Sequence, residues 1–88
     1  MNNYRCIVSG KVQGVYFRKN VEANALKANF KGYVKNLKDG TVEACVSCDE
    51  EKLKEFLNIL QKGSPNSRVD NIDVELIDEE FSLFEIRY

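Results

Sequence analysis

The 88-residue sequence contains no histidine. Its absence removes the side chain most used for proton transfer near neutral pH, and the imidazole that most often binds metals. With it goes any nucleophilic triad built on an imidazole base. The three cysteines, Cys6, Cys45 and Cys48, are an odd number in a chain with no export signal, so reduced thiols are expected rather than a disulfide framework. An excess of one charge is missing too. Thirteen basic and fourteen acidic side chains leave a net charge of -1, which offers no general attraction for nucleic acid or an anionic membrane. No apolar run approaches the roughly eighteen residues of a membrane helix, and Met1-Asn2-Asn3-Tyr4-Arg5 leads into an alternating segment, not a secretory h-region. These absences predict a cytoplasmic protein without nucleic-acid or membrane partners.

What is present suits one small domain spanning residues 1–88. A hydrophobic content of 43% supports a core, although a chain this short buries only about 60–65% of its extended surface. Residues 4 to 11 alternate as a strand. From Phe17 to Asn29 the spacing changes, with Phe17, Val21, Ala25 and Ala28 on one helical face. Gly32 suits the end of that helix, and Tyr33 to Leu37 reads as the next strand. Asp39-Gly40 predicts a tight primed turn into a third strand, Thr41 to Ser47. Asp49 can cap a helix carrying Leu53, Phe56, Leu57 and Leu60, which Gly63 and Pro65 end. Asn71 to Ile77 alternates with Ile72, Val74 and Leu76 inward, and Leu83 to Arg87 is a short last strand. The order is βαββαβ plus this small strand. Right-handed crossovers then predict an α+β, ferredoxin-like α/β sandwich: an antiparallel sheet with both helices on one face.

The run Ser9-Gly10-Lys11-Val12-Gln13-Gly14-Val15-Tyr16-Phe17-Arg18 lies at the first strand-to-helix junction. A glycine-containing turn lets backbone N–H groups converge, and the helix start adds free donors and the positive end of its dipole. Arg18 adds a planar cation that matches phosphate oxygens in pairs. An ordinary βα connection with a solvated arginine has the same elements. The apolar Val12, Val15, Tyr16 and Phe17 favour a partly buried cradle, because surface turns are mostly Gly, Pro, Asn, Asp and Ser.

Gly10-Lys11-Val12-Gln13-Gly14-Val15-Tyr16-Phe17-Arg18 resembles the first signature of the acylphosphatases, enzymes that hydrolyse the carboxyl-phosphate bond of acyl phosphates. Gly32-Tyr33-Val34-Lys35-Asn36-Leu37-Lys38-Asp39-Gly40-Thr41-Val42-Glu43 resembles the second. The resemblance covers almost the whole chain and implies the same ferredoxin-like fold. It implies that Arg18 binds phosphate and stabilises the transition state, that the backbone N–H groups of Gln13, Gly14, Val15, Tyr16 and Phe17 complete the cradle, and that Asn36 orients the attacking water. On residue type alone, Asn36 is an ordinary polar residue near a hairpin. The resemblance further implies a small-molecule acyl phosphate as substrate, inorganic phosphate as product and competitor, no cofactor and no metal. A monomer is expected, free-standing rather than a domain of a larger maturation enzyme. A carboxylate leaving group, with a pKa near 4, needs little help from a general acid, so a chain without histidine can carry out this chemistry.

Other residues read more plainly. Tyr16, Phe17 and Tyr33 fit core or rim packing, and Lys11 and Lys35 fit solvated positions that add positive potential. Cys45-Val46-Ser47-Cys48 has the spacing of a metal or redox motif, but on a continuous strand its sulfurs project to opposite faces. Two departures from the family pattern stand out. Cys48 replaces a usual glycine, and Gly63-Ser64-Pro65-Asn66-Ser67 only approximates a proline-rich family segment. Both are expected to lie away from Arg18 and Asn36. The rival classes are an RNA-binding sheet, which would need paired surface aromatics and a basic face, and a metal carrier using Cys45 and Cys48.

Overall fold

Period-two alternation in the opening residues produces one long strand, β1 (Asn2–Lys11), which buries Tyr4, Cys6 and Val8 on one side. In the computed structural model, which describes residues 1–88, it is followed by α1 (Phe17–Lys27), β2 (Lys31–Asn36), β3 (Val42–Cys48), α2 (Glu50–Lys62), β4 (Arg68–Ile77) and β5 (Phe84–Arg87). The strands form one sheet in the order β4-β1-β3-β2-β5. β1 runs antiparallel to β3 and β4, and β2 antiparallel to β3. Phe17, Val21 and Ala25 of α1 join Phe56 and Leu60 of α2 in one core with Cys6, Val8, Val34, Val42, Ala44 and Val46. Both helices therefore cover the same face, as expected for the ferredoxin-like sandwich. No helix is long and apolar enough to cross a membrane.

The sheet is not wholly antiparallel, because β5 lies parallel to β2, with Gly32 opposite Phe84 and Val34 opposite Ile86. β4 and β5 occupy opposite edges. The segment between them passes the face away from the helices, where Phe81 packs edge-on against Tyr33 at 5.5 Å. β5 returns antiparallel to β4, and β2 happens to run the same way. This placement carries Ile86 and Tyr88 to the helix side, beside the end of β2.

Several local expectations are corrected. α1 stops two residues earlier than its apolar spacing suggests. Asn29 adopts a left-handed φ of 62°, while Phe30 N–H donates to Ala25 O and Asn29 N–H to Leu26 O, a Schellman closure. Gly32 does not end the helix. It lies within β2, where a Cβ would fall 1.9 Å from the Cys45 carbonyl oxygen. At the hairpin only Gly40 has a positive φ, 92°, and the bonds Gly40 N–H to Leu37 O and Leu37 N–H to Thr41 O describe a three-residue loop with a glycine bulge, not a primed two-residue turn. Asp49 precedes α2 but makes no side-chain capping bond. Val74 and Leu76 are 42% and 68% exposed. They share a face with Cys6 and Tyr4, their partners in register, but β4 is an edge strand: Val69 and Ile72 in its first half pack against the core, and Val74 and Leu76 farther along do not.

Cys48 lies in the helix-side core, whereas Cys45 pairs in register with Arg5 and Tyr33 on the other face. The two sulfurs cannot converge, and burial pushes the Cys45 thiol up to about 11. Gly10 also differs in role from a loop glycine. It sits inside β1 at a register shift against β4, where a Cβ would meet Arg68 O at 2.1 Å.

Candidate active site

Between β1 and α1 the backbone turns through two left-handed residues, Gly14 with φ 72° and Tyr16 with φ 61°. A bulky residue rarely adopts this conformation. Interspersed with residues of ordinary φ, it turns successive N–H groups toward one side. The helix N-cap, Tyr16, supplies no side-chain acceptor. No hydrogen bond within the protein takes its donor from the backbone N–H groups of Gln13 through Lys19. The first amide of this region to find an acceptor is Asn20, which donates to Tyr16 O. Amides without acceptors at a helix start are the donors that an anion site requires.

The loop is pinned from below. Val12, Val15 and Phe17 are buried, so the apolar residues that distinguished this turn in the sequence anchor it to the core. Ser64 Oγ donates to Val15 O at 2.6 Å, and the Ser67 hydroxyl bonds both the N–H and the carbonyl of Ser64. Gly63 lies so close to Phe17 that a Cβ would approach the ring to 2.7 Å. The 63–67 loop, expected to lie away from Arg18 and Asn36, braces Val15, three positions before Arg18. No local signal links Ser64 to Val15, because they are 49 residues apart. Ser64→Ala leaves the Val15 carbonyl buried without its donor, at an expected cost of about 1–3 kcal/mol. Urea unfolding measures this, and an unchanged midpoint would show that the brace contributes nothing.

Asn36 ends β2 on the same face as Val34, opposite Val42. Its Oδ1 is buried and has no hydrogen-bond partner. A cavity of about 430 Å³ opens here, lined by Gly14, Tyr16, Phe17 and Arg18 from the loop and helix start and by Asn36 from the sheet. Topology thus brings Arg18 and Asn36 to one cavity. Gln13 and Val15 do not line it with their side chains: Val15 points into the core, and Gln13 Nε2 donates to Leu37 O and Thr41 O.

The cavity has lining beyond the residues given a phosphate-binding or catalytic role from the sequence. Val12 and Lys19 line it, as do Ile86 and Tyr88 from the last strand and its end. The Arg18 guanidinium sits 5.1 Å from the Tyr88 ring centroid, and Arg18 takes part in none of the protein's ion pairs. No carboxylate side chain lines the cavity to neutralise it. Lys11 and Lys35 are not among the lining residues, and Lys19 is the one lysine that lines the cavity. Tyr16 is 78% exposed at the rim. Tyr33 is on the opposite face of the sheet, donating its hydroxyl to Glu43 beneath the Arg87 guanidinium.

The family model for acylphosphatases matches residues 4–86. An acylphosphatase of Bacillus licheniformis is 48% identical to this chain, with all of both chains covered, and one of Dehalococcoides mccartyi is 40% identical, again with full coverage of both. Among solved structures, the acylphosphatase of Bacillus subtilis superposes with a TM-score of 0.91 at 40% identity over the whole of both chains. A structure of full-length HypF in a phosphate- and nucleotide-bound form matches all of this chain with 12% of its own length, at a TM-score of 0.83 and 32% identity.

Proposed function

The chain belongs to the acylphosphatase family, hydrolases of acyl phosphates, and from that premise we propose how its own residues perform the reaction. The observation that carries the proposal is one convergence. Amides without acceptors, an arginine without a counter-ion and a buried carboxamide oxygen without a partner all belong to the same loop-and-cavity region.

The N–H groups of Gln13, Gly14, Val15, Tyr16 and Phe17 hold the phosphate oxygens, with the positive end of α1 behind them. Arg18 closes the cradle and balances charge on the equatorial oxygens as the phosphoryl group passes between its two neighbours. Asn36 accepts a hydrogen bond from water through Oδ1 and aims the water oxygen at phosphorus. The new P–O bond forms from water as the bond between phosphorus and the carboxylate oxygen breaks. The acyl group leaves as a carboxylate that needs no proton, and the proton of the attacking water passes to a phosphoryl oxygen. No step requires a metal or cofactor. Residues 1–88 act as one domain around their single core.

The test is hydrolysis of an aromatic acyl phosphate by purified protein, with p-nitrophenyl phosphate as the control substrate. Rapid, chelator-insensitive loss of the acyl phosphate is expected, with inorganic phosphate inhibiting competitively. The control should turn over poorly, because its leaving group is more basic than a carboxylate. Dependence on an added metal, or no competition by phosphate, would overturn the proposed cradle.

A further inference from the structure

Gln13 offers more than a backbone amide. Its side-chain nitrogen sits 2.9 Å from Leu37 O and 2.9 Å from Thr41 O, so its two protons serve the two carbonyls that close the β2–β3 hairpin. The hairpin does not need this side chain to close, because its own bonds, Leu37 N–H to Thr41 O and Gly40 N–H to Leu37 O, already do so. What the extra pair adds is a link across 24 and 28 residues of sequence between the phosphate loop and the strand end that carries Asn36. Leu37 directly follows Asn36. The Asn36 Oδ1 has no hydrogen bond of its own, so the position of that oxygen depends on the backbone beneath it.

We infer that Gln13 is a positioning residue, whose carboxamide sets the separation between the bound phosphorus and the water held by Asn36. The role rests on the mechanism proposed above and is exerted through the backbone at Leu37 and Thr41, not by side-chain contact with substrate. The two halves of the site come from different elements, the β1–α1 loop and β2. A small displacement between them misaligns an in-line attack without weakening either half.

Gln13→Met keeps the length of the side chain and removes both donors. The kcat of this variant is expected to fall about tenfold or more, from loss of alignment. Its affinity for inorganic phosphate, measured by titration calorimetry, should stay within about twofold of wild type, because ground-state binding is not what the link controls. Introduced into Asn36→Ala, the same substitution should cause no further loss of kcat, since the group it positions is already gone. No loss in the single variant, or an equal loss in both backgrounds, overturns the inference.

Hydrogen exchange gives a readout independent of activity. The Leu37 and Gly40 amides should exchange faster in Gln13→Met than in wild type, and unchanged exchange overturns the inference. Gln13→Ala is a second donor-free variant, read in the same way if the methionine variant does not fold. Failure of the underlying mechanism has a different signature: full kcat in Asn36→Ala or Arg18→Gln. In that case the exchange rates still decide whether Gln13 holds the hairpin.

Discussion

Arg18→Gln is expected to lower kcat/KM by at least about a thousandfold, the scale on which arginine stabilises phosphoryl transfer. Glutamine retains hydrogen-bonding capacity but loses the permanent charge and the planar fork. The loss should appear in kcat as well as in KM, because charge moves onto the bridging and equatorial oxygens only as the bond to the carboxylate breaks. Stability should change little. Arg18 forms no ion pair, and its recorded side-chain contact is with the ring of Tyr88, which is itself exposed; such a contact contributes about 0.5–1 kcal/mol. Steady-state kinetics with a thermal melt of the same preparation separates the two effects. A folded Arg18→Gln protein with wild-type turnover would remove arginine from the mechanism.

Asn36→Ala should reduce kcat about a hundredfold, comparable to removing one preorganised hydrogen-bonding group, and leave KM nearly unchanged. It should also leave the protein at least as stable as wild type, because the buried Oδ1 has no partner to lose and its desolvation is relieved by truncation. Reduced turnover with undiminished stability is the mark of a group retained for chemistry rather than folding. Asn36→Asp sharpens the test. It keeps an acceptor for water but sets a negative charge near the phosphate, so its KM should rise as well. An Asn36→Ala variant whose only defect is a higher KM would assign Asn36 to substrate binding instead of water orientation.

The fold's tolerance of other functions explains why the loop matters more than the sandwich. A shared sandwich does not by itself specify an activity. In this chain the site-bearing feature is the turn through Gly14 and Tyr16, with the free amides it presents.

Much of this was legible along the chain, because it depends on short-range spacing. Alternation placed Tyr4, Cys6 and Val8 on one face of β1, and the helical period placed Phe17, Val21 and Ala25 on one face of α1. The change of period between them located the glycine loop, and Asp39-Gly40 located the hairpin. Alternation also separated the sulfurs of Cys45 and Cys48. These properties belong to a few consecutive residues whose side-chain directions follow from backbone geometry.

The remainder was decided by which elements became neighbours, and periodicity carries no information about that. Spacing gave Val74 and Leu76 the correct face, but only the strand order made β4 an edge and left them exposed. The parallel docking of β5 on β2 brought Ile86 and Tyr88 to the cavity. Likewise Ser64 reached the Val15 carbonyl and Gln13 reached Leu37 and Thr41 through contacts distant in sequence. The chain alone determined which residues form the glycine-containing turn before α1 and which face of each element turns inward. Only tertiary packing set Asn36 opposite that turn, because the distance between a loop and a strand end is fixed by the elements packed between them.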